Sequence, residues 1–222
     1  MIPLRSTERT YSAATATATL IVINILIFLY QATMNYGALV PFVERWGIVP
    51  DEISGHVYTL ATSMFLHGGW MHLLGNMMFL WVFGRNVEDL IGSGPYLAFY
   101  LACGLAAGVT QVVTSPYSRV PTIGASGAIA GVMGAYLMKF PRARIVTLVP
   151  IIVFITTMEI PAWIMLIWWF VIQIFSGFGS LATANYTGGG TAWFAHIGGF
   201  VAGMLLIRRF PVRRGRWQAW ND

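Results

Sequence analysis

The sequence predicts an all-α, polytopic membrane protein of six transmembrane helices, with both termini cytoplasmic and a long first loop on the outer side. Composition is the first reason. The 222 residues are 57% hydrophobic and 9% charged, with a mean hydropathy of +0.68. Soluble domains carry about 25% charged residues, and the 13 Lys+Arg and 8 Asp+Glu here are too few to cover a water-soluble fold of this size. The second reason is the spacing of the apolar runs, several of which approach the roughly 20 residues that cross a bilayer as a helix. The third is a strongly one-sided distribution of Lys and Arg between the connections.

Residues 1–14 form a short N-terminal segment with Arg5, Glu8 and Arg9. The first apolar run, 15–34, has the outline of a secretory signal, but Gln31-Ala32-Thr33 is a poor cleavage site, so it is expected to remain as a span. Residues 35–70 hold Pro41, Glu44, Arg45, Pro50, Asp51, Glu52 and His56 and cannot cross; a connection this long is a candidate functional loop. Further runs follow at 71–90, 95–114 and 126–140, the last preceded by the loop 115–121. The stretch 145–178 contains Glu159 and Pro161 and is expected to be an interfacial or re-entrant lead-in over 145–158, followed by one span at 161–178. A final run, 192–207, ends at Arg208-Arg209. One membrane domain over 15–210 and a basic, aromatic, membrane-surface tail over 211–222 result.

With six spans, eleven basic residues (Arg5, Arg9, Arg85, Lys139, Arg142, Arg144, Arg208, Arg209, Arg213, Arg214 and Arg216) share one side with the termini, against Arg45 and Arg119 on the other. That asymmetry places the termini in the cytoplasm. Reading 145–178 as two crossings would move the five C-terminal arginines to the other side and leave six against seven, with no inward asymmetry. The sequence pI of about 9.7 thus reflects topology signals rather than a phosphate-binding face, and no nucleic-acid partner is expected. Cys103 is the only cysteine, which excludes an intramolecular disulfide.

The second, fourth and sixth spans run inward, and each carries a polar residue near its outer end. His72 and Asn76 stand at i, i+4 on one helical face, Ser126 opens the fourth span, and His196 lies about one turn into the sixth. At 1.5 Å rise per residue these groups fall within roughly 5–8 Å of one another in depth. Ionisable groups inside a bilayer are costly and mark functional sites. A serine hydroxyl becomes a nucleophile when a histidine takes its proton, so Ser126 and His196 form a candidate dyad. No carboxylate accompanies them, which leaves the imidazole to be oriented by packing. The Ser126 N–H at a helix N-terminus is a candidate oxyanion donor, with His72 and Asn76 adding side-chain donors. Gly127 and Gly131 on one helix, and Gly199 and Gly203 on the other, have the small-residue spacing that lets two backbones approach.

Plainer readings weigh against each feature alone. Small-residue stripes are ordinary membrane-helix packing, and a histidine near a span end is often just interfacial. His67, His72 and Cys103 suggest zinc only weakly, since no HExxH motif and no nearby carboxylate accompany them; no metal and no cofactor are expected. An aspartate-pair mechanism lacks an Asp within any span. The pair Trp168-Trp169 reads as lipid-facing or packing surface.

Together, His67-Gly-Gly-Trp-Met-His72-Leu-Leu-Gly-Asn76, Gly124-Ala-Ser126-Gly127 and Ala195-His196-Ile-Gly-Gly199-Phe-Val-Ala-Gly203 resemble the rhomboid intramembrane serine proteases over about residues 15–210. The resemblance implies Ser126 as nucleophile, His196 as general base, and His72 with Asn76 at the oxyanion. It also implies a first loop dipping into the outer leaflet, where Glu44-Arg45-Trp46 approximates a Trp-Arg pair in reverse order. Transmembrane segments of neighbouring proteins would be the substrates, unwound and cut near their outer ends at small residues. A bacterial cytoplasmic membrane with the site facing outward is the expected location, the fifth span and the loop 187–191 being candidates for a mobile cover. Two positions depart from the pattern. Ala130 stands where many rhomboids stack an aromatic ring on the histidine, and Arg85 where bacterial relatives often have an acid. An inactive relative that binds membrane proteins, and a small transporter relaying protons through His72 and His196, are the alternatives.

Overall fold

Residues 2–151, 154–182 and 192–213 are described by a computed structural model that is mostly helical. Strand β1 (Ile2–Ser6) precedes α1 (Thr15–Ala32). The first connection contains α2 (Tyr36–Trp46), a 3-10 turn over Pro50–Gly55, the single turn α3 (Thr59–Thr62) and a second 3-10 turn over Ser63–Phe65. A continuous helix follows, made of α4 (Trp70–Phe79), a π-helical stretch (Leu80–Gly84) and α5 (Arg85–Ile91). The rest comprises α6 (Ser93–Thr114), α7 (Ser126–Lys139), strands β2 (Arg144–Ile151) and β3 (Phe154–Pro161), α8 (Ala162–Ala182) and α9 (Trp193–Leu206). Among the described residues, three helices are long and apolar enough to cross a membrane: Thr15–Ala32, Ser93–Thr114 and Ala162–Gly179.

The sheet corrects the all-α expectation. Residues 145–151 and 154–158, expected as a re-entrant or interfacial lead-in, are strand rather than helix. They belong to an antiparallel hairpin in which Ile145 pairs with Ile160 and Val146 with Glu159, and β1 adds a third strand along β2. Ile145, Val146, Thr147, Val149, Thr156 and Thr157 explain it: β-branched side chains suit a pleated surface better than a helix. Glu159 is exposed on this strand and does not enter α8, which starts immediately after Pro161. One face is sealed, with Ile145 and Thr147 fully buried and the Ser6 hydroxyl 2.6 Å from that of Tyr136 on α7.

Helices α6, α7 and α9 form the centre. A Cβ added to Gly199 would collide with the carbonyl of Gly127, and one on Gly203 with that of Gly131. Only hydrogen side chains let α7 and α9 meet backbone to backbone. From α6, Ala107 lies against both Gly127 and Gly199, and Cys103 lies against Gly131. Around this contact the core is aromatic, with Phe83, Tyr96, Phe99, Tyr100, Tyr136 and Phe200 almost fully buried.

α1 is held from outside its own sequence. Its N-cap residue is Ala14, which has no side-chain acceptor to offer the first-turn amides. Glu88 of α5 supplies one instead, accepting from Ala16 N–H and Thr17 N–H at 2.8 Å each and from the Ser93 hydroxyl at 2.6 Å. A carboxylate at a helix N-terminus also meets the positive end of the helix dipole. Asp89 beside it accepts from the Tyr11 and Ser12 amides and the Ser12 hydroxyl. Further up the N-terminal segment, burial raises the pKa of Glu8.

Two measurements check this architecture, both reading thermal exposure of the buried Cys103 to a maleimide dye in detergent. Glu88→Ala is expected to cost about 2 kcal/mol, the worth of a charged cap, and an unchanged midpoint would show that α1 is held otherwise. Gly199→Ala is expected to cost about 1–3 kcal/mol by overpacking. Gly94→Ala, where the added carbon meets open space, should leave the midpoint in place; equal midpoints for the two glycine variants would refute backbone-to-backbone packing.

Candidate active site

Ser126 is the first residue of α7 and His196 lies in the first turn of α9, so the glycine contact between these helices places the two side chains at neighbouring helix ends. Ser126 Oγ and His196 Nε2 are 2.7 Å apart, within hydrogen-bond distance. His196 is 8% exposed, whereas Ser126 is half-buried at the edge of a cavity.

The imidazole is not held by packing alone. His196 Nδ1 lies 2.8 Å from Oε1 of Gln173, a residue of α8 that is only 4% exposed. The other end of that amide is fixed too, since Gln173 Nε2 donates to the Trp169 carbonyl one turn earlier, at 3.1 Å. The Trp169 ring lies 5.7 Å from the His196 ring at an interplanar angle of 36°, and Trp193 meets it edge-on at 6.3 Å. Aromatic contact with the histidine therefore comes from α8 and α9, and Ala130 is a fully buried small residue of α7. Sequence inspection missed Gln173 and Trp169. Their i, i+4 spacing in an apolar helix is the sequence signal for the pair; Trp168 and Trp169 do not form one surface, since Trp168 is 59% exposed while its neighbour faces the histidine.

His72 and Asn76 line the opposite wall, on α4. Gly124 makes their approach possible: its φ of +125° and missing side chain bring its backbone beside both groups, and a Cβ there would sit 2.7 Å from His72 Nε2 and 3.6 Å from Asn76 Nδ2. The Gly68 amide donates to His72 Nδ1 at 3.3 Å, which makes that nitrogen the acceptor and puts the ring proton on Nε2, toward the cavity. Asn76 Nδ2 donates to His67 Nε2 at 3.0 Å. His67 is in turn clamped through its backbone by Gln31 of α1, which accepts from its N–H at 3.0 Å and donates to its carbonyl at 3.3 Å. The donor wall is thus braced from the first helix.

Ser126, His196, His72, Asn76, Gly124 and Gly127 all line one cavity of about 780 Å³. Its rim is tied down by the Ile48–Thr122 bridge, by the Gly124 amide donating to the Ser63 carbonyl at 2.9 Å, and by the exposed Arg119–Asp51 pair at 2.9 Å. In the same connection Arg45 lies over the Trp46 ring at 5.6 Å, and Arg85 lies over Trp81 at the same distance. Among the described residues no group of three or more His, Cys, Asp or Glu gathers as metal ligands, and Cys103 packs between helices. The loop 187–191 lies outside the described residues.

A family model, the Rhomboid domain, matches residues 54–211. The chain is 45% identical over 83 residues to Rhomboid protease GluP of Bacillus subtilis, a stretch covering 37% of this chain and 16% of that protein. It is 37% identical over 84 residues to the Putative rhomboid protease YdcA of the same organism, covering 38% and 42% of the two chains. Rhomboid protein 1, mitochondrial, of Saccharomyces cerevisiae is 27% identical over 112 residues, covering 49% and 32%. In each case the match spans less than half of the relative's own length.

Proposed function

This chain belongs to the rhomboid family, and we propose that it is an intramembrane serine endopeptidase that cuts transmembrane segments of other proteins with Ser126 and His196. The observation that carries the proposal is the 2.7 Å hydrogen bond between Ser126 Oγ and His196 Nε2 at the wall of the cavity. In the proposed reaction Ser126 Oγ attacks the scissile carbonyl carbon while its proton passes to His196 Nε2. The carbonyl oxygen becomes an oxyanion facing the Ser126 N–H at the start of α7, the His72 Nε2–H and an Asn76 Nδ2–H. As the tetrahedral intermediate collapses the C–N bond breaks, and His196 returns its proton to the departing amine. Water then attacks the acyl-enzyme ester, again losing its proton to His196, and releases the acid with Ser126 restored.

The membrane setting is part of the proposal. Helices α1, α6 and α8 cross, and α4 with α5, α7 and α9 complete six spans, with both termini on the cytoplasmic side as the basic residues direct. Ser126 and His196 then lie toward the outer side of a bacterial cytoplasmic membrane, reached by water through the cavity below the first connection. α7 has 14 residues, so at 1.5 Å each it is about 21 Å long, short of the roughly 30 Å hydrocarbon thickness. A serine at its outer end is therefore below the surface rather than at it. A helical substrate has its carbonyls tied up in i→i+4 bonds and must unwind to present one, which favours small or helix-breaking residues near the cut.

The proposal predicts covalent labelling of the purified protein by a fluorophosphonate at Ser126, lost in Ser126→Ala and in His196→Ala, together with cleavage of reconstituted single-span substrates by the unaltered protein alone. Labelling that persists in Ser126→Ala, or none at all in folded protein, would sink it. Asn76→Ala is expected to lower kcat by about 10²–10³, the worth of one oxyanion donor, with KM little changed; a change confined to KM would place Asn76 outside the oxyanion site.

A further inference from the structure

We infer that Gln173 is the positioning residue of the dyad: its side-chain carbonyl fixes the His196 tautomer and ring plane, so that Nε2 faces Ser126 as a base only while α8 is seated against α9. The inference rests on the reading of Ser126 and His196 as a catalytic pair and adds the group that orients them.

The chemistry leaves little choice. A neutral imidazole carries one proton, and an Nε2 that accepts from Ser126 requires that proton on Nδ1. An N–H with no partner in an 8% exposed ring would carry the full cost of desolvation. Gln173 Oε1 at 2.8 Å is the acceptor it has. Its amide is held right way round by the bond from Nε2 to the Trp169 carbonyl, which presents oxygen rather than nitrogen to the histidine. Trp169 lies on the same helical face and covers the ring, so one turn of α8 sets both the plane and the proton.

A neutral amide also suits this place. In soluble triads a buried aspartate performs the same orientation and stabilises the imidazolium. Here an ionised carboxylate would need desolvation in an apolar helix with no cation among the groups described beside it. Gln173 supplies the orientation without the charge. The helix that carries it has a large apolar exposed surface, with Trp163, Ile164, Ile167, Trp168, Ile172 and Phe175 all turned outward. The base and its acceptor thus lie on different helices, and their contact reports where α8 sits.

The test compares the unaltered protein with Gln173→Met, which keeps the length and removes the acceptor, and Gln173→Glu, which keeps an acceptor oxygen whether ionised or protonated. The first readout is the fluorophosphonate labelling rate of Ser126. The second is the ¹⁵N spectrum of histidine-labelled protein, in which protonated and unprotonated ring nitrogens are resolved; His196→Ala assigns the signals. Expected are an Nδ1–H, Nε2-unprotonated His196 in the unaltered protein, its loss in Gln173→Met with labelling slowed about 10²-fold, and labelling within about tenfold of the original in Gln173→Glu. Labelling of Gln173→Met at the original rate, or an Nε2–H tautomer in the unaltered protein, would overturn the inference. If Gln173→Met does not fold, the spectrum of the unaltered protein and the Gln173→Glu rate still decide. Absence of labelling in the unaltered protein would remove the hydrolase reading, while the tautomer would still test the role of Gln173.

Discussion

Helices α7 and α9 meet through glycine, and the geometry of the site depends on that contact. Gly127 against Gly199 and Gly131 against Gly203 leave carbonyl oxygens, not side chains, as the points of closest approach. A side-chain interface can repack, because rotamers change at modest cost; a backbone interface has no such freedom. The separation between the first turns of the two helices is therefore fixed by van der Waals contact. Ser126 and His196, each in one of those turns, inherit a distance that neither side chain has to enforce. The same economy runs through α6, whose Ala107 fits against both glycines at once.

The donor wall is built differently. His72 and Asn76 belong to α4, and their placement relies on hydrogen bonds: the Gly68 amide to His72, Asn76 to His67, and Gln31 with the backbone of His67. α1 itself is seated at its other end by the carboxylate of Glu88. Two polar devices at opposite ends of one helix thus support the site from a distance. Both use groups that a membrane interior penalises when unpaired, so each holds its partner firmly.

Much of this organisation is legible in the sequence. The apolar runs locate the long helices to within a few residues, and the glycine spacing on α7 and α9 identifies the faces that touch. Two things are not legible. The strands at 144–161 escape a search for membrane-length runs, because β-branched residues raise hydropathy and strand propensity together and length alone does not separate them. Gln173 escapes because a single amide in an apolar helix has no motif around it; its meaning lies in a 2.8 Å distance to a residue 23 positions away. Ala130 pointed to the question, since a histidine without a ring beneath it must be held by something, but not to which helix supplies the answer.

The π-helical stretch Leu80–Gly84 bears on how the chain satisfies two demands with one helix. A π turn accommodates an additional residue, and one residue of α-helix corresponds to about 100° of rotation. The part of the helix after Gly84 is thereby rephased against the part before Leu80. The half before it is free to aim His72 and Asn76 into the cavity, and the half after it to aim Glu88 and Asp89 at the start of α1, without a shared angular compromise. In effect the segment is two helices with separate azimuths joined end to end. A helical wheel drawn through the whole segment misassigns one half, and a single-residue deletion inside the π stretch would turn one functional face away from its target while preserving a regular helix.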